Sequence, residues 1–139
     1  MRKRLSLILA AACVFAAAPA SAHHSFAAEF DEKKDIRLRG MVTKVEFINP
    51  HSWIHLDVKD ADGRVINWAI EGGSPNALYR FGFTKDALPI GTEIVVEGYQ
   101  AKDGSNRGVG KNLTYTDGRR LFLGGSAPGA HGDAPDEKK

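Results

Sequence analysis

The sequence predicts an all-β domain with one short helix, arranged as an OB-like five-stranded Greek-key barrel, and three observations lead there. From residue 35 onward the chain is a succession of β-forming runs separated by glycine and Asp-Gly turn signals. These runs come in the order three strands, one helix, then two or three strands. All of them fit between residues 35 and 123, a span so short that a nearly closed sheet, which hides its edges, is the economical way to build a core. An open α+β sheet is the alternative architecture, whereas an eight-stranded meander would need a longer chain.

Arg37 to Phe47 is rich in β-formers and interrupted by Gly40, which suits a curved first strand bent at the glycine. Trp53 to Lys59 alternates, with Ile54, Leu56 and Val58 on one face and Trp53, His55 and Asp57 on the other. Asp62-Gly63 then turns the chain into Val65 to Glu71, whose apolar face carries Ile66, Trp68 and Ile70, so the two runs form a hairpin. Ser74-Pro75 followed by Gly82 marks a short helix, with serine as cap and proline in the first turn. Thr92 to Ala101, Gly108 to Thr116 and Arg119 to Leu123 are the remaining strands, separated at Asp103-Gly104 and Asp117-Gly118.

The two ends read differently. Arg2-Lys3-Arg4, an apolar run from Leu5 to Ala18 and the small-residue site Ala20-Ser21-Ala22 form a secretory signal peptide, residues 1–22. The apolar run is shorter than the ~20 residues a membrane-spanning helix needs, so no transmembrane segment is expected in the mature form. Residues 23–34 read as an N-terminal arm docked through Phe26 and Phe30, and residues 124–139, rich in glycine and without a large apolar side chain, as a disordered tail. The protein is thus expected to be periplasmic or secreted, cleaved after Ala22.

Cleavage changes the charge argument. The whole chain carries 19 Lys+Arg against 17 Asp+Glu; losing Arg2, Lys3 and Arg4 leaves 16 cationic residues against the same 17 acidic ones. A domain this close to neutral lacks the cationic stripe that displaces counterions from phosphates, which argues against a nucleic-acid partner. The single cysteine, Cys13, lies inside the signal. A lipoprotein reading of Cys13 would want Leu where Ala10 stands, so the mature chain is expected to hold neither disulfide nor thiolate ligand.

Cleavage also creates the most informative chemical feature, a chain beginning His23-His24-Ser25. A terminal histidine offers an α-amine and an imidazole to one ion, and the amine, with a pKa near about 8, releases its proton more readily than a lysine. Nitrogen donors without thiolates favour copper among first-row divalent ions. His23, His24 and His51 are the candidate metal ligands. His51 and His55 stand four apart, which on a strand separates them by ~13 Å and rules out a shared ion. The non-core face of the hairpin, with Trp53, His55, Asp57, Asn67 and Glu71, is the candidate surface for a small polar ligand such as a sugar ring. No phosphate-cradling loop and no Gly-x-Ser-x-Gly nucleophile elbow is present.

His23-His24-Ser25-Phe26, Asn49-Pro50-His51-Ser52, Trp68 with Glu71, Ser74-Pro75-Asn76 and Gly91 together resemble a family of exported bacterial β-rich domains of unknown function. The resemblance implies a small secreted or periplasmic domain and carries no catalytic residue with it. His23 also resembles one element of the copper brace of lytic polysaccharide monooxygenases and periplasmic copper carriers, whose immunoglobulin-like folds differ from the strand order read here. The expectation is therefore a non-enzymatic binding module, with copper as its possible cofactor. A copper-dependent oxidoreductase using the same histidines and a structural or partner-docking envelope domain are the rival readings.

Overall fold

A computed structural model describes residues 26–132 of the chain. The signal segment 1–22, the candidate ligands His23 and His24, and residues 133–139 of the expected tail lie outside the described residues. Six strands make one sheet: β1 (Phe30–Glu46), β2 (Trp53–Lys59), β3 (Val65–Glu71), β4 (Glu93–Ala101), β5 (Arg107–Tyr115) and β6 (Arg120–Phe122), with helix α1 (Pro75–Arg80) between β3 and β4. Their order is β3-β2-β1-β4-β5-β6. A parallel pairing of β3 residues Ala69, Ile70 and Glu71 with β5 residues Arg107, Gly108 and Val109 closes a ring of hydrogen bonds through five of the strands. All other pairings are antiparallel.

The ring depends on β1 serving two neighbours. Its first part pairs with β4 and its last part, from Gly40, with β2. The sequence places the bend at Gly40, but the irregularity falls between Val42 and Lys44. Gly40 is needed for a different reason: a Cβ there would sit 2.6 Å from the backbone oxygen of Asp57, so only glycine lets β1 and β2 approach so closely. Asp60, Asp62 and Gly63 build the β2–β3 turn, where the Asp60 carboxylate accepts from the backbone N–H groups of Asp62 and Arg64, each at 2.9 Å.

Alternation decides what fills the ring. Val42, Ile54, Leu56, Ile70, Val96 and Leu113 point inward and are fully buried, each such side chain contributing about 1.5–3 kcal/mol of burial free energy. Helix α1 closes one end. Ser74 caps it, its hydroxyl accepting from the Ala77 N–H at 3.3 Å, and Leu78 with the following Phe83 seals the core.

Three expectations need correction. The fold has two short helical segments rather than one, since residues 26–29 of the arm are helical. The charged run Asp31 to Lys34, read as part of that arm, belongs to β1, which begins at Phe30. Residues 124–132, read as the start of a disordered tail, pack down: Ala127 and Ala130 are buried with Phe26, Phe30, Tyr99, Ala101 and Val109 in a second cluster on the outer side of the sheet. Small side chains suffice there because the segment runs close against β5 and the glycines after β3, with Gly73 N–H donating to the Leu123 carbonyl at 2.7 Å.

Candidate functional site

The β2–β3 register puts Trp53 opposite Glu71, His55 opposite Ala69 and Asp57 opposite Asn67. Directly opposed residues share a face, so the five residues read from the sequence do lie on one side of the hairpin, away from Ile54, Leu56 and Ile70. They do not form one site. The face divides into a polar network, a lateral groove and a histidine–carboxylate pair.

The polar network belongs to His55. Its Nε2 is 2.9 Å from Glu46 Oε2, and Lys44 Nζ is 2.6 Å from the other carboxylate oxygen. Lys44 and then His55, by hydrogen bonding, hold the Glu46 carboxyl below its ordinary pKa. Farther along, Asn67 donates to Asp57 Oδ1 at 3.1 Å and to the Leu56 carbonyl at 3.3 Å. These groups satisfy one another beside a half-exposed Trp53. The groove lies next to Asp57, has a volume of about 590 Å³, and is lined by Arg39, Met41, Lys59, Val65 and Glu93 as well.

The ion pair is formed by the partly exposed His51 and the buried Glu71. Glu71 ends β3 and is only 4% exposed, while His51 sits in the loop before β2 with its Nδ1 2.7 Å from Glu71 Oε1. The loop is fixed to the end of β3 from both sides: Ser52 N–H donates to Gly73 O and Gly72 N–H to Ser52 O, each at 2.9 Å. The sequence singles out His51 as a candidate ligand; the structure gives it a carboxylate partner. Burial raises the Glu71 pKa, the largest effect, His51 opposes it, the charge of Glu29 adds to it and Arg107 opposes it. His51 and His55 have separate partners, as their spacing on extended chain requires.

Two neighbours of Glu71 were not legible in the sequence. Arg107 arrives through the parallel β3–β5 pairing, and its Nη1 is 3.6 Å from Glu29 Oε2. Glu29 arrives with the N-terminal segment, which is pinned by Lys102: its backbone N–H donates to Glu29 O at 2.9 Å and its ammonium to the Ala27 carbonyl. Phe26, at the start of the described chain, is buried against Phe30 and Tyr99. Alternation of Lys44-Val45-Glu46-Phe47 would have revealed Glu46 and Lys44; nothing local announces Arg107 or Glu29. Among the described residues no group of three or more His, Cys, Asp or Glu side chains is gathered as a metal cage, and no helix is long and apolar enough to cross a membrane.

Fold and site thus define a small β-ring domain in which a buried carboxylate, Glu71, is paired with a partly exposed histidine, His51, beside the docked N-terminal segment. The chain belongs to a family of unknown function (DUF6152), whose model matches residues 11–111. It matches no curated protein and no solved structure.

Proposed function

We propose that this chain is an exported, OB-like binding module that takes a divalent copper ion at its processed N-terminus. The OB-like reading is supported by the strand order and by β3 lying parallel to β5 across the closure. In such barrels the second and third strands and the loops flanking them form the customary binding surface. His51 and Glu71 occupy that position. His23 supplies its amine and imidazole, and His24 and His51 are the further donors. The observation that carries the reading is where the N-terminal segment docks: Glu29 Oε2 is 3.6 Å from Arg107 Nη1, and Arg107 pairs with Ala69, two residues before Glu71 on β3; the three residues from Phe26 back to His23 can span up to about 10 Å.

The experiment is calorimetric titration of the mature protein, beginning at His23, with Cu²⁺, alongside the same protein with its His23 α-amine acetylated. Acetylation removes the amine donor of the chelate and should weaken binding by at least tenfold, ~1.4 kcal/mol. Equal affinities would overturn the proposal. A small polar ligand on the sheet face is the second reading, favoured by the groove of about 590 Å³ beside Asp57. Sugar-induced shifts confined to Asp57, Met41 and Val65 in a protein indifferent to copper would support it.

A further inference from the structure

Beside α1 the ring carries an apolar cleft with one cation at its rim, sharing no residue with the groove beside Asp57. We propose that this cleft binds the hydrocarbon chain of a single-chain carboxylate amphiphile, a free fatty acid, whose head group pairs with the Lys85 ammonium.

The cleft has a volume of about 470 Å³ and is lined by Val45, Phe47, Lys85, Leu88, Pro89 and Ile90, a size within the range of small-molecule sites. Its floor belongs to the core: Leu88 is 3% exposed, and Val45 and Phe47 pack against the buried cluster inside the ring. Phe47 meets Phe83 edge-on at 5.8 Å and is stacked on Tyr79 of α1 at 6.0 Å. A hydrocarbon chain laid here removes water from apolar surface that is continuous with the core.

Ile90 forms the wall, and its placement marks the cleft as a site. At 74% it is the most exposed large apolar side chain among the described residues. It stands in a turn, where polar residues and glycine usually serve. The turn is locked: Thr92 donates to the Pro89 carbonyl through its N–H at 3.1 Å and its hydroxyl at 2.6 Å, and Gly91 N–H donates to Val42 O at 2.7 Å. The loop before it is fixed as well, the Tyr115 hydroxyl donating to the Ala87 carbonyl and Ala87 N–H to Thr84 O at 3.1 Å. Polar bonds hold both Ile90 and the loop that carries Lys85, so the cleft is preformed.

Charge selects the occupant. Lys85 is the one charged residue in the lining. Among the described residues it has no carboxylate within ion-pair distance, and Asp86, its neighbour in sequence, does not line the cleft. A cation at the rim of an otherwise apolar cleft fits a ligand with an apolar body and one anionic end, and it disfavours a cationic amphiphile. Lys85 is exposed, so the head group pairs in water and neither charge is buried. Binding to a lipid surface would call for several cations around the apolar side chains; one lysine beside a concave cleft favours a single molecule.

The test follows the methyl resonances of Val45, Leu88 and Ile90 in metal-free protein beginning at His23, titrated with sodium decanoate below its micelle concentration. Decanoate should shift these methyls. Octanoate, two methylenes shorter, should bind about 16-fold more weakly, at about fourfold per buried methylene. Ile90→Asp, at an exposed position, should keep the far-ultraviolet circular dichroism of the parent and weaken decanoate at least about tenfold. Lys85→Glu should weaken decanoate about fivefold or more and leave decyltrimethylammonium bound no more weakly than by the parent. Methyls indifferent to decanoate, or a parent that binds decanoate and decyltrimethylammonium equally, would overturn the proposal. So would binding to phosphatidylglycerol vesicles without binding of monomeric decanoate, which would make the cleft a membrane contact. Self-association abolished by Ile90→Asp in a protein indifferent to decanoate would also overturn it, in favour of an interface between two copies.

Discussion

Replacing Phe26 by alanine tests how the N-terminal segment is held beside His51 and Glu71. Phe26 is 7% exposed, lies stacked on Phe30 with ring centroids 6.1 Å apart, and meets Tyr99 edge-on at 5.4 Å. Burying a phenylalanine contributes about 1.5–3 kcal/mol, and each aromatic pair adds about 0.5–1.5 kcal/mol. A loss of about 3 kcal/mol in the docked segment changes the docked-to-undocked equilibrium on the order of 100-fold. Because Phe26 precedes the first strand, the effect should be local. The reporter is the Lys102 amide, which donates to the Glu29 carbonyl at 2.9 Å. In native-state hydrogen exchange F26A should accelerate that amide by on the order of 100-fold, leave the Val96 amide in the β1–β4 ladder at its parent rate, and lower copper affinity. Leu56→Ala is the contrast. It sits fully buried inside the ring, and its cost of about 2–5 kcal/mol should appear at every slowly exchanging amide. An unchanged Lys102 amide in F26A would show that something other than this aromatic anchor holds the segment. A uniform acceleration would show that the anchor belongs to the main core.

Three more predictions follow from single sites. At Gly98 a Cβ would lie 2.0 Å from the Val109 carbonyl oxygen, so Gly98→Ala must displace β4 from β5 and should lower stability by about 1–3 kcal/mol or more, whereas Gly98→Ala with an unaltered urea midpoint would contradict the close approach. Ser74→Ala removes the helix cap and should cost about 1 kcal/mol in urea unfolding; no change would mean that the cap is idle. Glu71 has its folded pKa raised above the ordinary 4.5, by burial first. The native state therefore binds more protons than the unfolded chain, and the stability from this group, fully present below the unfolded value, is lost as pH rises through the folded one. Measured by urea unfolding without metal, the stability of the parent minus that of E71Q should fall as pH rises from 4 toward neutrality. The lowered carboxyls of Glu46, Glu93, Asp103 and Asp117 are common to both proteins and cancel in the difference. A rising difference would contradict the assignment.

The β2–β3 hairpin was readable because its signals are local. Alternation over Trp53 to Val58 sets the buried face, Asp62-Gly63 sets the turn, and the observed strands Trp53–Lys59 and Val65–Glu71 have the expected bounds. The helix was readable for the same reason, with Ser74 and Pro75 at its start. Long-range features left no such trace. Parallel pairing of β3 with β5 brings together Glu71 and Val109 without any intervening turn to announce it. The start of β1 at Phe30 is hidden by Asp31 to Lys34, which are tolerated in a strand because most of their side chains reach solvent. Ala127 and Ala130 look like linker residues, yet their methyl groups are buried in the outer cluster among the larger side chains of Phe26, Phe30 and Tyr99. At the site, each residue of the pair was singled out from the sequence, His51 as a ligand and Glu71 as a face residue. What sequence could not supply was their contact, which requires the loop before β2 to fold back on the end of β3.

The most direct test of a copper site at the processed amino end is the mass of the exported protein's first peptide. Isolation from the cell envelope or medium followed by intact and fragment mass spectrometry should give a chain starting at His23, with its amine free. A chain starting at any other residue, or one retaining Cys13, would contradict the account.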